Sequence, residues 1–330
     1  MINEKRLLDT FFDYVMIDSE TKNEKAMGEK LVEDLKVLGL EVKTDKAGEG
    51  FGSNGFNVCA YLPGTIPGEP TIMCAHMDTV TPGNGIKPLI DDGIIHTDGS
   101  TILSGDDKSG IAAIMEAVKV IKEQNLPCRN TEILFTIGEE GGMNGVKNMD
   151  LSMIKGKEAM VFDASGDVGK ILTCGPGQIK IFATIIGRSS HAGLAPEEGI
   201  SAIQVAAKGI AKMNLLRIDE ETTCNIGTLK AEYATNIVPE KAEFVAEVRR
   251  RNLDKLNAQA THMQKCLQDA CDEMGAKLEI ELKTNYVSFN VANDDPMVQR
   301  VFESCKRIGC EPMTAKGGGG SDANVMALHG

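Results

Sequence analysis

The chain has 330 residues, long enough for about two domains, and its 42% hydrophobic and 25% charged residues describe an ordinary globular protein rather than a disordered one. Its 35 basic and 48 acidic side chains leave a formal charge of −13, which argues against nucleic acid or an anionic membrane as a partner, since both are held by clustered Lys and Arg. No apolar run nears the ~20 residues of a membrane span, and MINEKRLLDTFFDYV has no signal-like core, so a cytoplasmic location is expected.

Leu7, Leu8, Phe11, Phe12 and Val15 recur at helical spacing. Thr21 with Glu24 forms the pattern of a capping box for a helix ending at Gly39. β-rich runs follow at 56–61 and 71–75, and a Gly- and Pro-rich stretch over 82–93 reads as loop. Residues 107–124 place Ile111, Ile114, Met115, Val118 and Ile121 on one helical face. TEILFTI at 131–137 and AMVF at 159–162 read as strands covered on both faces.

The pattern changes near residue 175. CGPGQ reads as a linker and IKIFATIIG as a strand. A helix over about 199–213, strands at 223–230 and 242–250, a helix at 253–274 and the strand KLEIELK follow. That order predicts an α+β unit of ferredoxin-like type inserted in an α/β domain, with 1–175 and 286–330 forming the outer domain and 176–285 the insertion. After it, 294–309 reads as helix and leads to the glycines 317–320. The nine cysteines contain no CxxC pair, and several lie in apolar runs, as reduced structural thiols do.

Open α/β sheets bind their ligands beyond the carboxyl ends of strands. Four such ends carry candidate chemistry: His76 with Asp78, Asp106-Asp107, Glu139-Glu140, and Asp163. In extended chain His76 and Asp78 point the same way, so Asp78 can accept from the ring nitrogen left free when the other binds metal. One His and three carboxylates exceed the three protein ligands typical of a single catalytic zinc. They suit two metals about 3.5–4 Å apart bridged by a carboxylate and a water. Of the adjacent glutamates, one can bind metal while the other acts as general base. Each motif alone has a bland reading: a surface Glu pair, or a helix N-cap for Asp106-Asp107. Together those readings require four unrelated accidents at the ends of apolar runs.

The strings AHMDTV, GDDKSG, GEEGG, FDASG, GRSSHAGLAPEEGISA, TNIVP and GGGSDAN, in that order across residues 1–330, resemble the dinuclear zinc peptidases that include peptidase T, carboxypeptidase G and succinyl-diaminopimelate desuccinylase. The HAG and SDAN details are most similar to peptidase-T-like members. The resemblance implies a zinc-exopeptidase-type catalytic domain with an inserted lid and dimerisation domain, a homodimer, and two divalent ions, zinc by preference with cobalt or manganese accepted. It implies that His76, Asp106 and Asp163 hold one ion, and that Asp106 bridges to a second also bound by Glu140. Glu139 is then the acid/base and Asp78 orients His76, while the peptide Asp106–Asp107 is cis. His191 would stabilise the oxyanion in a neighbouring subunit's site, and Asn236, Arg249 and Gly319 would contact substrate. The family's last metal ligand is a histidine beyond one further strand. The chain ends at Leu328-His329-Gly330, where His329 matches a helix end, so an incomplete second metal site and a missing strand are expected. The activity implied is hydrolysis of short peptides, as in a tripeptide aminopeptidase. The alternatives are an amidohydrolase or dipeptidase acting on N-acyl amino acids or dipeptides, and a non-catalytic peptide- or metal-binding protein.

Overall fold

The computed structural model describes residues 1–329. They form two compact units: Met1–Ile171, Gln299–Met313 and the residues from Ser321 on in the first, Leu172–Val298 and Thr314–Gly320 in the second.

The first unit opens with α1 (Glu4–Val15) and α2 (Lys25–Val37). Asn3 caps α1 by accepting the Arg6 N–H, and the helix buries Phe11, Tyr14 and Val15. Strands β1 (Glu41–Thr44), β2 (Val58–Leu62) and β3 (Ile66–His76) follow. A hairpin, β4 (Leu89–Asp91) with β5 (Ile94–His96), stands where loop was expected. Then come α3 (Gly105–Glu123), β6 (Arg129–Thr136), the single turn α4 (Asn144–Lys147) and β7 (Glu158–Val161). The main sheet has the order β1-β2-β6-β3-β7. Its β3 runs parallel to both β6 and β7, so those three carboxyl ends lie along one edge. Ile133, Leu134, Phe135 and Cys74 are fully buried, which is why these strands read as unbroken apolar runs. Full burial of side chains such as Leu31, Ile111 and Phe135 contributes about 1.5–3 kcal/mol each. Arg6 forks onto the buried Glu116 at 2.7 and 2.9 Å and so ties α1 to α3.

The second unit begins with β8 (Lys170–Gly175) and β9 (Gly177–Ile186), so the predicted linker is strand on both sides of Pro176. After it come α5 (Ala202–Ile210), β10 (Leu216–Arg217), β11 (Thr223–Lys230), β12 (Lys241–Arg250), α6 (Leu253–Met274) and β13 (Lys277–Tyr286). The sheet order β10-β11-β12-β9-β13 is antiparallel at each of its pairings. Without the short β10 this is the ferredoxin-like arrangement that the element order predicts. Ile181, Ile185, Phe244 and Val248 meet Leu267, Ala270 and Cys271 in its core. β14 (Phe289–Asn290), α7 (Pro296–Arg307), β15 (Met313–Lys316) and α8 (Asp322–Met326) complete the chain. Among the described residues no helix is long and apolar enough to cross a membrane.

The capping box expected at Thr21 and Glu24 does not form. Glu24 occupies the N-cap of α2 without a side-chain bond to the helix. Its carboxylate instead accepts from the Lys22 N–H and the Ser53 hydroxyl, and the Thr21 hydroxyl leaves for Asp78. Asp78 and Ser53, brought close by the fold, take the places of the capping partners.

Candidate metal centre

Strand register assembles this centre. His76 on β3 lies beside Thr136 of β6, and the Phe162 N–H bonds to the Cys74 carbonyl at 2.8 Å, which brings Asp163 alongside. The imidazole is buried, with Nδ1 3.0 Å from the Asp78 carbonyl and Nε2 3.0 Å from Asp106 Oδ1. A proton on Nδ1 donated to that carbonyl leaves Nε2 as the ligating nitrogen. Burial works against charging His76, but the carboxylates of Asp106 and Asp78 outweigh it and raise its proton affinity well above the usual value.

Asp106 and Asp107 diverge despite being neighbours. Their peptide is cis, and both have non-helical backbone angles at the head of α3. Asp106 is exposed, whereas Asp107 is buried and accepts the His76 N–H at 3.3 Å. The helix-cap reading therefore fails for this pair. Lys108, next in the chain, is buried and donates to the Ile17 carbonyl at 2.8 Å.

Asp78 does more than orient the histidine. Its Oδ1 stands 3.4 Å from His76 Nδ1, farther than its own carbonyl, and accepts the Glu139 N–H at 2.9 Å. Oδ2 accepts the Glu140 N–H at 3.3 Å and the Thr21 hydroxyl at 2.8 Å. One fully buried carboxylate thus aligns the backbone of both glutamates. Gly138, at φ 63°, makes the turn that presents them, a conformation glycine adopts without steric cost.

Ligand atoms of His76, Asp106 and Glu140 lie within 4.8 Å of one another, and so do those of His76, Glu139 and Asp163. All five predicted side chains are brought together. His76 belongs to both groups, and Asp106 is also in side-chain contact with Asp163. One imidazole among carboxylates suits zinc, cobalt or manganese. The electrostatics fit a cation as well. Burial first, then neighbouring carboxylates, raise Asp107 and Glu139 to about 9 and Asp163 to about 7, and Glu140 is pushed up too.

One acidic residue of this neighbourhood escaped the site assignment. Asp322 opens α8 and is buried, with Oδ2 accepting the Thr136 hydroxyl at 2.5 Å and Oδ1 without a hydrogen-bond partner. Burial raises it to about 6, and its charge raises Glu139 in turn. Ser321 and Asn324 form the capping box of α8, which leaves Asp322 free to face β6. The sequence signal was its place in GGGSDAN, one residue beyond the glycines.

These shifts predict a pH dependence. The raised acids and the raised His76 make the metal-free folded chain bind more protons than the unfolded one, so its stability falls as pH rises. Chelator-treated protein is expected to melt at progressively lower temperature from about pH 5 to 9, while metal-loaded protein falls less. Thermal melts of both forms across that range check it. A flat profile for the chelated form would contradict the raised proton affinities.

In the second unit, His191 pairs as a β-bridge with Ile237, and the Asn236 carbonyl accepts the Ala192 N–H at 2.9 Å. These two predicted residues therefore stand together, both exposed. Nδ1 of His191 accepts the Gly193 and Leu194 N–H groups at 3.1 and 3.2 Å, which leaves Nε2–H as a donor facing outward. Arg249 grips Glu247 through Nε at 2.8 Å and Nη2 at 3.2 Å, so a substrate carboxylate would have to compete with that partner. A Cβ at Gly319 meets nothing within 4 Å, whereas one at Gly320 would lie 2.4 Å from the Tyr286 ring. The need for glycine is at 320. Of the remaining histidines, His96 pairs with Asp91 on the hairpin and His262 lies 3.7 Å from Cys266. His329, beside Met326 and Ile72, is in neither ligand group.

Residues 176–275 match the peptidase dimerisation domain of the M20 type, and residues 57–174 match peptidase family M28. The uncharacterized protein YqjE of Bacillus subtilis is 42% identical over 330 residues, covering 100% of this chain and 89% of its own length. A tripeptidase from Staphylococcus aureus superposes with a TM-score of 0.96 at 38% identity, over 100% of this chain and 88% of its own. The aminopeptidase PepT of Bacillus cereus gives 0.92 at 43% identity, with the same coverage.

Proposed function

The chain belongs to the peptidase-T-like M20 metallopeptidases, and on that premise we propose that it removes the N-terminal residue from tripeptides at the centre built by His76, Asp106, Glu139, Glu140 and Asp163. The reading is carried by one observation, the convergence of an imidazole and four carboxylates from separate segments onto two groups of ligand atoms. Two divalent ions, zinc by preference, would be held by His76, Asp106, Glu140 and Asp163. When bound, such ions polarise the scissile carbonyl and lower the pKa of water.

The residues of the chain do the rest. Glu139, aligned by Asp78 through its amide, takes the proton of the attacking water and passes it to the leaving amine. His191 donates from Nε2 to the developing oxyanion, across a homodimer in which one protomer serves its partner's site. Asn236, Arg249 and Gly319 line the substrate, with Arg249 exchanging Glu247 for the peptide carboxylate. All nine cysteines are free, which supports work in the reducing cytoplasm.

Metal-depleted protein reloaded with zinc, cobalt or manganese and offered tripeptides, dipeptides and N-acyl amino acids tests this. Metal-dependent release of the first residue, fastest from tripeptides, is expected. Preference for N-acyl amino acids would instead establish the amidohydrolase alternative.

A further inference from the structure

We propose that Thr21 is a positioning residue for the hydrolytic reaction, its hydroxyl locking Asp78 in the orientation that holds Glu139 and Glu140. The proposal rests on the reading of Glu139 as base and Glu140 as ligand. Thr21 lies in the segment between α1 and α2, remote in sequence from every strand-end motif. Its Oγ1 donates to Asp78 Oδ2 at 2.8 Å, a shorter contact than the 3.3 Å amide bond from Glu140 to the same oxygen. Without that hydroxyl, Oδ2 keeps only the longer bond. The carboxylate then has a competing attraction, because its Oδ1 already stands 3.4 Å from His76 Nδ1. Rotation toward the imidazole would slacken the 2.9 Å bond that sets the Glu139 backbone.

The hydroxyl is itself held firmly. The Thr21 N–H bonds to the Thr79 carbonyl at 3.1 Å, and the Thr79 N–H returns to the Ser19 carbonyl at 3.0 Å. Glu20, next to it, accepts the Gly83 N–H at 2.7 Å. The segment is thereby stitched to the residues that directly follow Asp78. Thr21 also meets the glutamate loop from a second side, since a Cβ on Gly141 would lie 2.9 Å from its Cγ2 methyl. Branching at Cβ restricts χ1, so methyl and hydroxyl are directed together, one at Gly141 and one at Asp78.

Valine keeps the shape and removes the donor, and serine keeps the donor and removes the methyl. Removing an outer hydrogen-bond partner of a metal site costs 10–100-fold in affinity or activity. In metal-loaded protein, T21V is expected to lower kcat by about tenfold or more with KM little changed, and T21S to recover most of that loss. Titration of the metal-depleted chains with cobalt should show weaker binding and an altered absorption spectrum in T21V only, since Glu140 moves with the clamp. Wild-type kcat in T21V, or equal losses in T21V and T21S that track their melting temperatures, would overturn the proposal. A wild-type protein without metal-dependent hydrolysis would overturn the functional reading and this proposal together, which separates the two failures.

Discussion

Glu139→Gln is expected to lower kcat by about a thousandfold, in the range that general-base catalysis supplies, while the metal content stays at the wild-type value. Glutamine keeps the size and the amide held by Asp78 but cannot take a proton from water. The position is prepared for a base. In the metal-free chain burial and the charges of Asp322 and Asp163 raise the proton affinity of Glu139 to about 9, and bound divalent ions would lower it again and free the carboxylate to take a proton. The same variant decides between two roles, because a Glu139 oxygen also falls within ligand distance of His76 and Asp163. Metal analysis beside single-turnover rates separates them: lost turnover with full metal identifies the base, and lost metal identifies a ligand.

Asp106→Ala is expected to abolish metal binding and turnover while costing the metal-free fold only the bond that Asp106 makes to the buried His76 ring. Its side chain is 69% exposed and reaches His76 Nε2, so little packing is lost. As a direct ligand its removal should weaken metal binding by more than the roughly 10–100-fold that an outer partner costs. Asp107 has the opposite character, being buried and bonded to the His76 N–H, so its truncation should unfold before it informs on metal. Cobalt titration with thermal melts of the D106A chain checks the prediction. Wild-type affinity would remove Asp106 from the ligand set.

Much of this is legible in the sequence. The helix predicted at 253–274 and the strand at 223–230 stand where the apolar pattern put them, because long periodic runs are set by which face meets the core. The strand-end acids and His76 could be found because parallel strands must deliver their next residues to one edge. Less legible was every choice between a near partner and a distant one. Thr21 and Glu24 match a capping box, yet each bonds elsewhere. The HxD spacing suggested Asp78 for the imidazole, but the carbonyl of that residue is nearer and the carboxylate aligns two amides instead. Arg249, implied to contact substrate, is paired with Glu247, two residues away on the same strand and therefore on the same face. Asp322 has no periodic signature; its place after the glycine run and its burial against β6 mark it.

The sequence alone determined the family, the α/β domain with its ferredoxin-like insertion, and the inventory of acids that surround His76. Those properties follow from covalent order, since residue spacing fixes which side chains share a face and which follow a strand. Only the tertiary structure decided which oxygen meets which donor. A polar group withdrawn from water takes whichever partner the packed chain brings within about 3 Å, and that distance depends on segments tens of residues apart.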